Sequence, residues 1–193
     1  METKSGDRRV RKTKTILRQG LVRLMSEKSI QEITVKELCC ECDINRGTFY
    51  SHYADVYDLL QKIEEEMLCV LEEMIKEYSL LDVKGEAAPS PIMSSIFRFL
   101  AQNADMCRIL LCNNGDMAFV EKVKDTVKNK FMSEWKIRVP ENDNNKTSEY
   151  LYAFIVSGCI GVLQQWLISN GTQTPDEMAA LVENLIVRGA ANS

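Results

Sequence analysis

The sequence contains a single histidine, His52, among its 193 residues, and this scarcity narrows the chemistry that it can perform. It also lacks the P-loop and the GxGxxG loop that bind phosphates in many enzymes. Its seven cysteines form no paired CxxC array. A catalytic site would require a nucleophile with a base, a carboxylate pair, a metal cluster or such a loop. We therefore expect no enzyme, no metal site and no cofactor.

The number of cysteines is odd, which argues against a framework of disulfides. The simplest interpretation is that they fill small apolar spaces on helices in a reducing compartment. Cys39, Cys40 and Cys42 are close in sequence, but on a helix neighbouring side chains point about 100° apart. A redox-sensing role for Cys107 or Cys112 remains open at this point.

The chain also lacks an unbroken run of eighteen apolar residues, so the sequence predicts no transmembrane helix. The segment from Met1 to Lys14 is charged and has no apolar core behind it, which is unlike a signal peptide. We expect a cytoplasmic protein with no membrane partner.

Charge is distributed unevenly along the chain. Residues 1–23 carry eight basic and two acidic side chains, a net charge of +6, so the remaining residues carry −10 of the overall −4. A basic segment on an acidic body suggests that one end meets a polyanion such as DNA. A solvated basic tail is the alternative, and charge alone does not separate the two.

Apolar residues recur at helical spacing along most of the chain. Ile16, Leu17, Leu21 and Leu24 mark one face of a first helix, predicted from about Arg9 to Glu27. No segment alternates at period two, so an all-α fold is predicted. Further helices are expected over the ranges 34–42, 45–53, 55–78, 91–102, 105–112, 116–138, 147–170 and 174–189, with loops at 82–91 and 140–146.

The segment from Thr34 to Tyr53 has the pattern of a helix-turn-helix. Thr34-Val35-Lys36-Glu37 is a capping box, in which the hydroxyl accepts from the third backbone amide and the carboxylate reaches back. Asp43-Ile44-Asn45 predicts a tight turn, with Asn45 capping the next short helix. Two short helices behind a longer first helix are typical of DNA-binding modules.

The second of these short helices has the composition of a groove-binding helix. Phe49 and Tyr53 are four residues apart and are expected to anchor its inner side. Gly47 lets a phosphate approach the backbone closely. Arginine, threonine, tyrosine, serine and histidine supply the polar groups that base edges and phosphates require. Each of these polar residues has a less specific alternative as an exposed surface group.

The quoted residues together resemble the DNA-binding domain of the TetR family of transcriptional regulators. The resemblance runs from about Ile16 to Gln61 and includes Asp58-Leu59-Leu60. It implies a three-helix DNA-binding domain at 1–53, a connecting long helix at 54–79, and a helical effector-binding and dimerisation domain at 80–193. The DNA-binding residues that it implies are Thr34, Lys36, Arg46, Gly47, Thr48, Tyr50, Ser51 and His52.

The resemblance also suggests a role for each of these groups. Arg46, Thr48 and Ser51 are the implied base readers, and Tyr50 and His52 are the implied phosphate donors. One departure affects the footprint on DNA. Members of the family often carry a phosphate-binding lysine where this chain has Val56, so Lys36, Lys62 or the basic N-terminal segment is expected to supply that charge.

The C-terminal half is similar to a subgroup of the family that includes the dihydroxyacetone kinase activator. The similarity is carried by the stretch from Tyr150 to Leu167. The helix at 147–170 is apolar on more than one face and must be buried on several sides. We expect it to form a homodimer interface with the last helix, a purely intramolecular core being the alternative. The interface candidates are Phe154, Ile155, Gly158, Val162, Trp166, Leu181 and Leu185.

An apolar effector pocket is the last expectation. Its candidate lining residues are Met93, Phe97, Leu100, Met106, Phe131, Trp135 and Trp166. A methionine and aromatic stripe at helical spacing is also what a plain core contains. The sequence thus predicts a repressor that binds a palindromic double-stranded DNA operator and is released by an unknown small molecule. An activator or coactivator that works through a protein partner is the alternative.

Overall fold

A computed structural model describes residues 3–77, 90–112, 117–138, 145–169 and 172–190 of the chain. All regular structure in these ranges is helical, which confirms the predicted all-α fold. The α-helices are α1 (Thr3–Glu27), α2 (Val35–Glu41), α3 (Arg46–Tyr50), α4 (Val56–Glu77), α5 (Pro91–Gln102), α6 (Ala104–Leu111), α7 (Met117–Arg138), α8 (Asn145–Ile168) and α9 (Pro175–Ala190).

Local capping chemistry determines where several of these helices begin. The hydroxyl of Thr174 accepts from the Glu177 amide at 3.3 Å, and the Glu177 carboxylate accepts from the Thr174 amide at 2.7 Å, so the predicted capping box of α9 is confirmed. Asp55 accepts from the Asp58 amide at 2.8 Å and caps α4 in the same way.

Two features near the N-terminus were not predicted correctly. Helix α1 begins at Thr3 and not near Arg9, so the basic segment is helical well before the predicted start. A short 3₁₀ helix, Ile30–Glu32, follows it. This turn is held by its own capping box, in which Glu32 accepts from the amide and the hydroxyl of Ser29 at 3.1 and 2.9 Å.

The chain divides into two compact units, Met1–Met67 and Leu68–Ser193, with the division inside α4. In the first unit, Leu17 and Leu21 of α1, Leu38 of α2 and Phe49 of α3 are fully buried. Gly20 lies at the contact between α1 and α2, where an added Cβ would come within 2.1 Å of the Cys42 sulfur. This close approach explains why a glycine stands in the middle of α1.

In the second unit, α5 packs mainly against α9. Two polar contacts tie these helices together at their ends. Arg98 pairs with Asp176 at 2.9 Å, and the buried Glu183 carboxylate accepts from the Ser90 amide at 2.6 Å, at the start of α5. Because the first amides of a helix have no partner within the helix, Glu183 satisfies one of them from a different element.

Helices α7 and α8 form a separate apolar cluster in the second unit. Phe131 and Tyr152 are in contact, with ring centroids 5.5 Å apart, and Val156 completes the buried group. The Tyr152 hydroxyl donates to the Lys124 carbonyl, and burial raises the pKa of this phenol to about 12.

Few of the described side chains of α8 are fully buried in the single chain. The stretch Glu149–Ile168 has a mean hydropathy of 1.6, so by length and composition it is apolar enough to cross a membrane, contrary to the expectation from unbroken runs. The expectation rested on unbroken runs, and Ser157, Gly158 and the two glutamines interrupt the run without lowering its mean hydropathy enough to fail this criterion. Only 22% of the window is buried. An interface helix of a folded oligomer meets the same criterion.

Candidate nucleic-acid interface

The turn between α2 and α3 has a defined backbone geometry. Asp43 lies in the left-handed region, with φ of 51°, and its amide donates to the Cys40 carbonyl at 3.3 Å. Aspartate is one of the few residues that adopt this conformation at small cost. The Ile44 amide then donates to the Cys39 carbonyl at 2.9 Å, which closes the turn. The predicted tight turn at Asp43-Ile44-Asn45 is present.

The inner side of α3 is anchored by two aromatic rings. Phe49 is fully buried and Tyr53 is 6% exposed, and their ring centroids are 5.7 Å apart. Asn45 caps the helix by accepting from the Gly47 amide at 2.7 Å. Since α3 is only five residues long, it depends on contacts such as this cap and these two rings to hold its orientation.

The outer side of α3 is polar and accessible. Arg46, Tyr50 and Ser51 are exposed, and Tyr50 is 57% exposed although it is an aromatic residue. Thr48 and His52 are half-buried. The structure therefore places these five candidate DNA-contacting side chains, on α3 and on the two residues after it, where a partner could reach them.

Gly47 is also exposed, and one atom would lie close to a side chain at this position. An added Cβ would meet the Asn45 amide oxygen at 3.2 Å as its nearest neighbour. The interior of the protein therefore imposes little of the requirement for glycine here. The predicted close approach of a phosphate from outside is therefore the physical reason for a glycine at this position.

Thr34 and Lys36 lie at the start of α2 and are exposed. The Thr34 hydroxyl accepts from the Glu37 amide at 3.2 Å, as predicted. The Glu37 carboxylate accepts from Lys28 at 2.5 Å, and this hydrogen bond is the main cause that lowers the pKa of Glu37. Because Lys28 is held by Glu37, Lys36 is the better placed of these lysines to meet a phosphate.

Helix α1 contributes further positive charge. Arg8, Arg9, Arg11, Lys12 and Lys14 are exposed along its first half. A row of cations on a helix attracts a polyanion without regard to its sequence. Most of these charges lie within the helix predicted from about Arg9, and α1 carries all of them on one helix.

The start of α4 differs from what the phosphate-binding role requires. Val56 is 4% exposed and belongs to the core, and the carboxylates of Asp55 and Asp58 occupy the first turn of the helix. Lys62, which was expected as a substitute for the missing lysine, donates to the His52 carbonyl at 3.3 Å and to Asp58 at 3.0 Å. These contacts were missed, although the i, i+4 spacing of Asp58 and Lys62 could have indicated the ion pair.

In the second unit, α8 and α9 present an apolar groove of about 590 Å³. Phe154 is 69% exposed, Leu181 47% and Leu185 53%. The structure brings together six of the seven interface candidates, since Phe154, Ile155, Gly158, Val162, Leu181 and Leu185 all line this groove.

Trp166, the seventh interface candidate, lies in the core of the single chain. It is 5% exposed, its indole N–H donates to the Gln173 carbonyl at 3.1 Å, and its ring contacts Phe97 edge to face at 5.3 Å. Because the side chain is already buried within its own subunit, it has little surface to offer to a partner. Its place in a subunit interface stays a prediction, which the burial of the side chain disfavours.

The candidate effector residues are not gathered in one place. Phe97, Leu100, Met106 and Trp166 are buried, and Met93 is half-buried. Phe131 belongs to the other cluster, with Tyr152. The side chain of Trp135 lies outside the described residues. The contact between Phe97 and Trp166 shows a packed core at this point.

The environment of the two candidate redox cysteines disfavours reactivity. Cys107 is fully buried. Cys112 is half-buried, its thiol donates to the Gln164 carbonyl at 3.7 Å, and burial raises its pKa. Since the thiolate is the reactive form, a raised pKa slows oxidation and alkylation.

Comparison with known proteins assigns the family. A model of the TetR type, described as "Transcriptional regulator C-terminal region", matches residues 88–188, which is just over half of the chain. The chain belongs to the TetR family of transcriptional regulators. This confirms the family and the helix-turn-helix DNA-binding character that the N-terminal motif indicated.

A curated relative is also a helix-turn-helix regulator by name. An uncharacterized HTH-type transcriptional regulator of Haemophilus influenzae is 29% identical over 113 residues, 55% of this chain and 54% of the relative. The chain thus aligns with about half the length of this relative.

Solved structures share the TetR fold over most of their length. A TetR regulator of Streptococcus agalactiae is 21% identical and covers 96% of this chain and 99% of its own, with a TM-score of 0.62. The dihydroxyacetone kinase operon activator DhaS is 14% identical, with coverages of 93% and 97% and a TM-score of 0.60. FadR of Bacillus subtilis, in complex with stearoyl-CoA, is 16% identical, with coverages of 91% and 98% and a TM-score of 0.60. At these identities the likeness shows the fold.

Proposed function

We propose that this TetR-family regulator is a cytoplasmic repressor that binds a palindromic operator as a homodimer and is released by a small-molecule effector. The observation that carries the proposal is the division of α3 into an anchored inner side and an exposed polar outer side. Phe49 is fully buried, while Arg46, Tyr50 and Ser51 are exposed. An exposed polar outer side adds nothing to the stability of a short helix. A helix with such a side does, however, fit the major groove of DNA.

The outer side of α3 offers two kinds of contact. Arg46, with five donors in a planar fork, suits the acceptor edge of a guanine, and Thr48 and Ser51 suit either base type. In the free protein the Ser51 hydroxyl donates to the Thr48 carbonyl at 2.7 Å, so its lone pairs remain available to a base donor. Tyr50 and His52 are assigned to phosphates, which fix the register of the helix on DNA.

Thr34, Lys36 and the basic half of α1 extend this footprint along the backbone of the duplex. Arg8, Arg9 and Lys12 are exposed, and each phosphate neutralised releases condensed counterions. The acidic first turn of α4, with Asp55 and Asp58, lacks the family's usual lysine. The footprint is therefore expected to depend more on α1 and α2.

Exposed apolar surface on α8 and α9 supports self-association through these helices. Phe154, Leu181 and Leu185 line one groove, and a stable monomer seldom exposes such a patch without using it. Gly158 and Gly161 have no atom within 4 Å of an added Cβ, so a second helix could approach the backbone there. A symmetric pair of these helices gives a four-helix bundle with like surfaces in contact.

Control by an effector is the least constrained part of the proposal. The helix α4 runs from the DNA-binding unit into the second unit, so a ligand that shifts it would change the spacing of the two recognition helices. Phe97, Met106 and Trp166 give the second unit an apolar interior, which favours an apolar effector that displaces their present packing. A long-chain acyl-CoA is a suitable first probe, because the fold neighbour FadR was solved with one.

The DNA-binding test is fluorescence anisotropy with the duplex immediately upstream of the gene, over a series of salt concentrations. We expect tight binding with a steep salt slope, weakened by Tyr50→Ala. Tyr57→Ala is the matched control, because Tyr57 is 50% exposed in the same unit but lies on α4. Equal weakening by both variants would contradict the assignment to α3. A well-folded dimer that binds no DNA would favour the activator acting through a protein partner.

The dimer test is sedimentation velocity of Phe154→Glu. A buried charge without a partner costs several kcal/mol, so the variant is expected to be a monomer. Met117→Glu is the control, since Met117 is 80% exposed on α7 and does not line the groove. A dimer that survives Phe154→Glu would show that the interface lies elsewhere.

A further inference from the structure

Lys62 joins the end of the recognition helix to α4. Its ammonium donates to the His52 carbonyl at 3.3 Å and to the Asp58 carboxylate at 3.0 Å, and it lies over the Tyr53 ring at 5.1 Å from the centroid. The side chain is 45% exposed, so its stem is largely held against the protein. All three contacts lie within the first unit.

The groups that Lys62 contacts lie where the chain leaves the last turn of α3 and determine its direction there. The amides of His52 and Tyr53 donate to the Phe49 carbonyl at 2.9 and 3.0 Å and close the helix. The next amide, that of Ala54, donates to Asp58 at 2.8 Å. Asp58 therefore binds the chain just after α3 and also binds Lys62, which in turn binds the carbonyl of His52.

These contacts form a closed loop of interactions between α3 and α4. The His52 carbonyl carries partial negative charge at the end of a helix, where a cation is favourable. The hydrogen bond from Ala54 and that from Lys62 lower the pKa of Asp58, so it stays ionised. Burial, and after it the carboxylates of Glu66 and Asp58, raise the pKa of Tyr53. The ammonium of Lys62 lies over the same ring and pairs with one of these carboxylates.

We propose that Lys62 is a positioning residue that fixes the angle of recognition helix α3 on α4, and does not itself bind a phosphate. The inference rests on the proposed function, because the angle of α3 affects DNA binding only if α3 enters the major groove. It assigns to Lys62 a role different from that of the lysine that the family often carries at the start of this helix. Lys62 and Asp58 act together in this role.

The salt dependence of DNA binding separates positioning from direct contact. Lys62→Met removes the charge and keeps the length of the side chain. We expect affinity for the upstream duplex to fall about tenfold through weakened base contacts, with an unchanged salt slope and unchanged affinity for a scrambled duplex. An equal loss on both duplexes, with the slope reduced by about 0.9 for each phosphate contact removed, would overturn the proposal. Unchanged affinity on both would overturn it too.

Lys76→Met is the matched control for the loss of charge. Lys76 lies on the same helix and pairs with Glu73 at 3.1 Å, and both side chains are well exposed. We expect this variant to bind both duplexes as the wild type does. A loss equal to that of Lys62→Met would show that net charge, and not the contacts of Lys62, determines affinity.

Asp58→Asn gives a test in which the two explanations predict opposite changes in DNA affinity. Asparagine keeps an acceptor for the Ala54 amide but loses the ion pair with Lys62. Electrostatics alone predicts tighter DNA binding, because a negative charge near the phosphates is removed. Positioning predicts weaker binding, in the direction of Lys62→Met. Unchanged or tighter binding would overturn the role of the pair.

Hydrogen exchange tests the same contacts without DNA. In Lys62→Met the amides of His52, Tyr53 and Ala54 are expected to exchange faster than in the wild type, while those in the middle of α1 are unchanged. Unchanged exchange at all three would contradict the positioning role. If the wild type binds no DNA, the proposed function fails, and the exchange result still decides whether Lys62 holds this corner.

Discussion

The contact between Gly20 and Cys42 gives a prediction whose magnitude can be worked out from the structure. In Gly20→Ala the new methyl carbon would stand 2.1 Å from the Cys42 sulfur and 3.3 Å from a methyl of Leu38. Such contacts force α1 away from α2 or turn the thiol out of its place, at a cost of about 1–3 kcal/mol. Alanine in a helix interior recovers about 1 kcal/mol relative to glycine. The net effect is a loss of about 0–2 kcal/mol of unfolding free energy.

A double-mutant cycle isolates this contact. In Cys42→Ala the sulfur is gone, and the Cβ of residue 42 lies 3.8 Å from the added methyl, an ordinary contact. Gly20→Ala in that background is therefore expected to be neutral or stabilising. Free energies of opening of the α1 amides, from native-state hydrogen exchange, report on this unit directly. A single Gly20→Ala variant more stable than the wild type, or strictly additive effects, would refute the argument.

Three further outcomes follow from individual contacts. Asn45→Ala removes the cap of the Gly47 amide and is expected to cost about 1 kcal/mol, measured as a lower urea midpoint. Burial raises the pKa of the Cys42 thiol to about 11 from 9.0, so the folded state holds a proton that the unfolded state loses between these values. The free energy of unfolding should therefore fall as pH rises from 9 towards 11, and that of Cys42→Ala should fall less steeply. Parallel curves for the two proteins would contradict the contribution of this thiol. Trp166→Phe leaves the Gln173 carbonyl without its donor and should cost about 1 kcal/mol in thermal unfolding at fixed protein concentration, whereas an unchanged midpoint would contradict the contact.

The sequence was most informative where structure depends on neighbours along the chain. The cap of α3 by Asn45, the capping box of α9 at Thr174 and the start of α5 at Pro91 all follow from side chains a few residues apart. The amphipathic pattern likewise identified Phe49 and Tyr53 as the inner anchors of α3.

Features that depend on distant parts of the chain were less accessible. The approach of Gly20 to Cys42 joins two helices and leaves no local signal. Helix α8 is apolar on several faces, so periodicity could not tell that Trp166 points inward while Phe154 points outward. The hydrogen bond from Lys62 to the His52 carbonyl joins residues that are ten positions apart. It depends on the direction of the turn between α3 and α4, which the sequence does not determine.

The most direct test of the central claim is selection of bound duplexes from a random library by the wild type and by Thr48→Ala. If α3 reads bases in a symmetric dimer, the wild type should enrich an inverted repeat whose half-site centres lie about 34–36 Å apart, or a multiple of this distance. Thr48→Ala should then lose preference at one position in each half-site, symmetrically, and keep the rest. No enrichment, an unpaired site, or an identical selected sequence with Thr48→Ala would contradict the account.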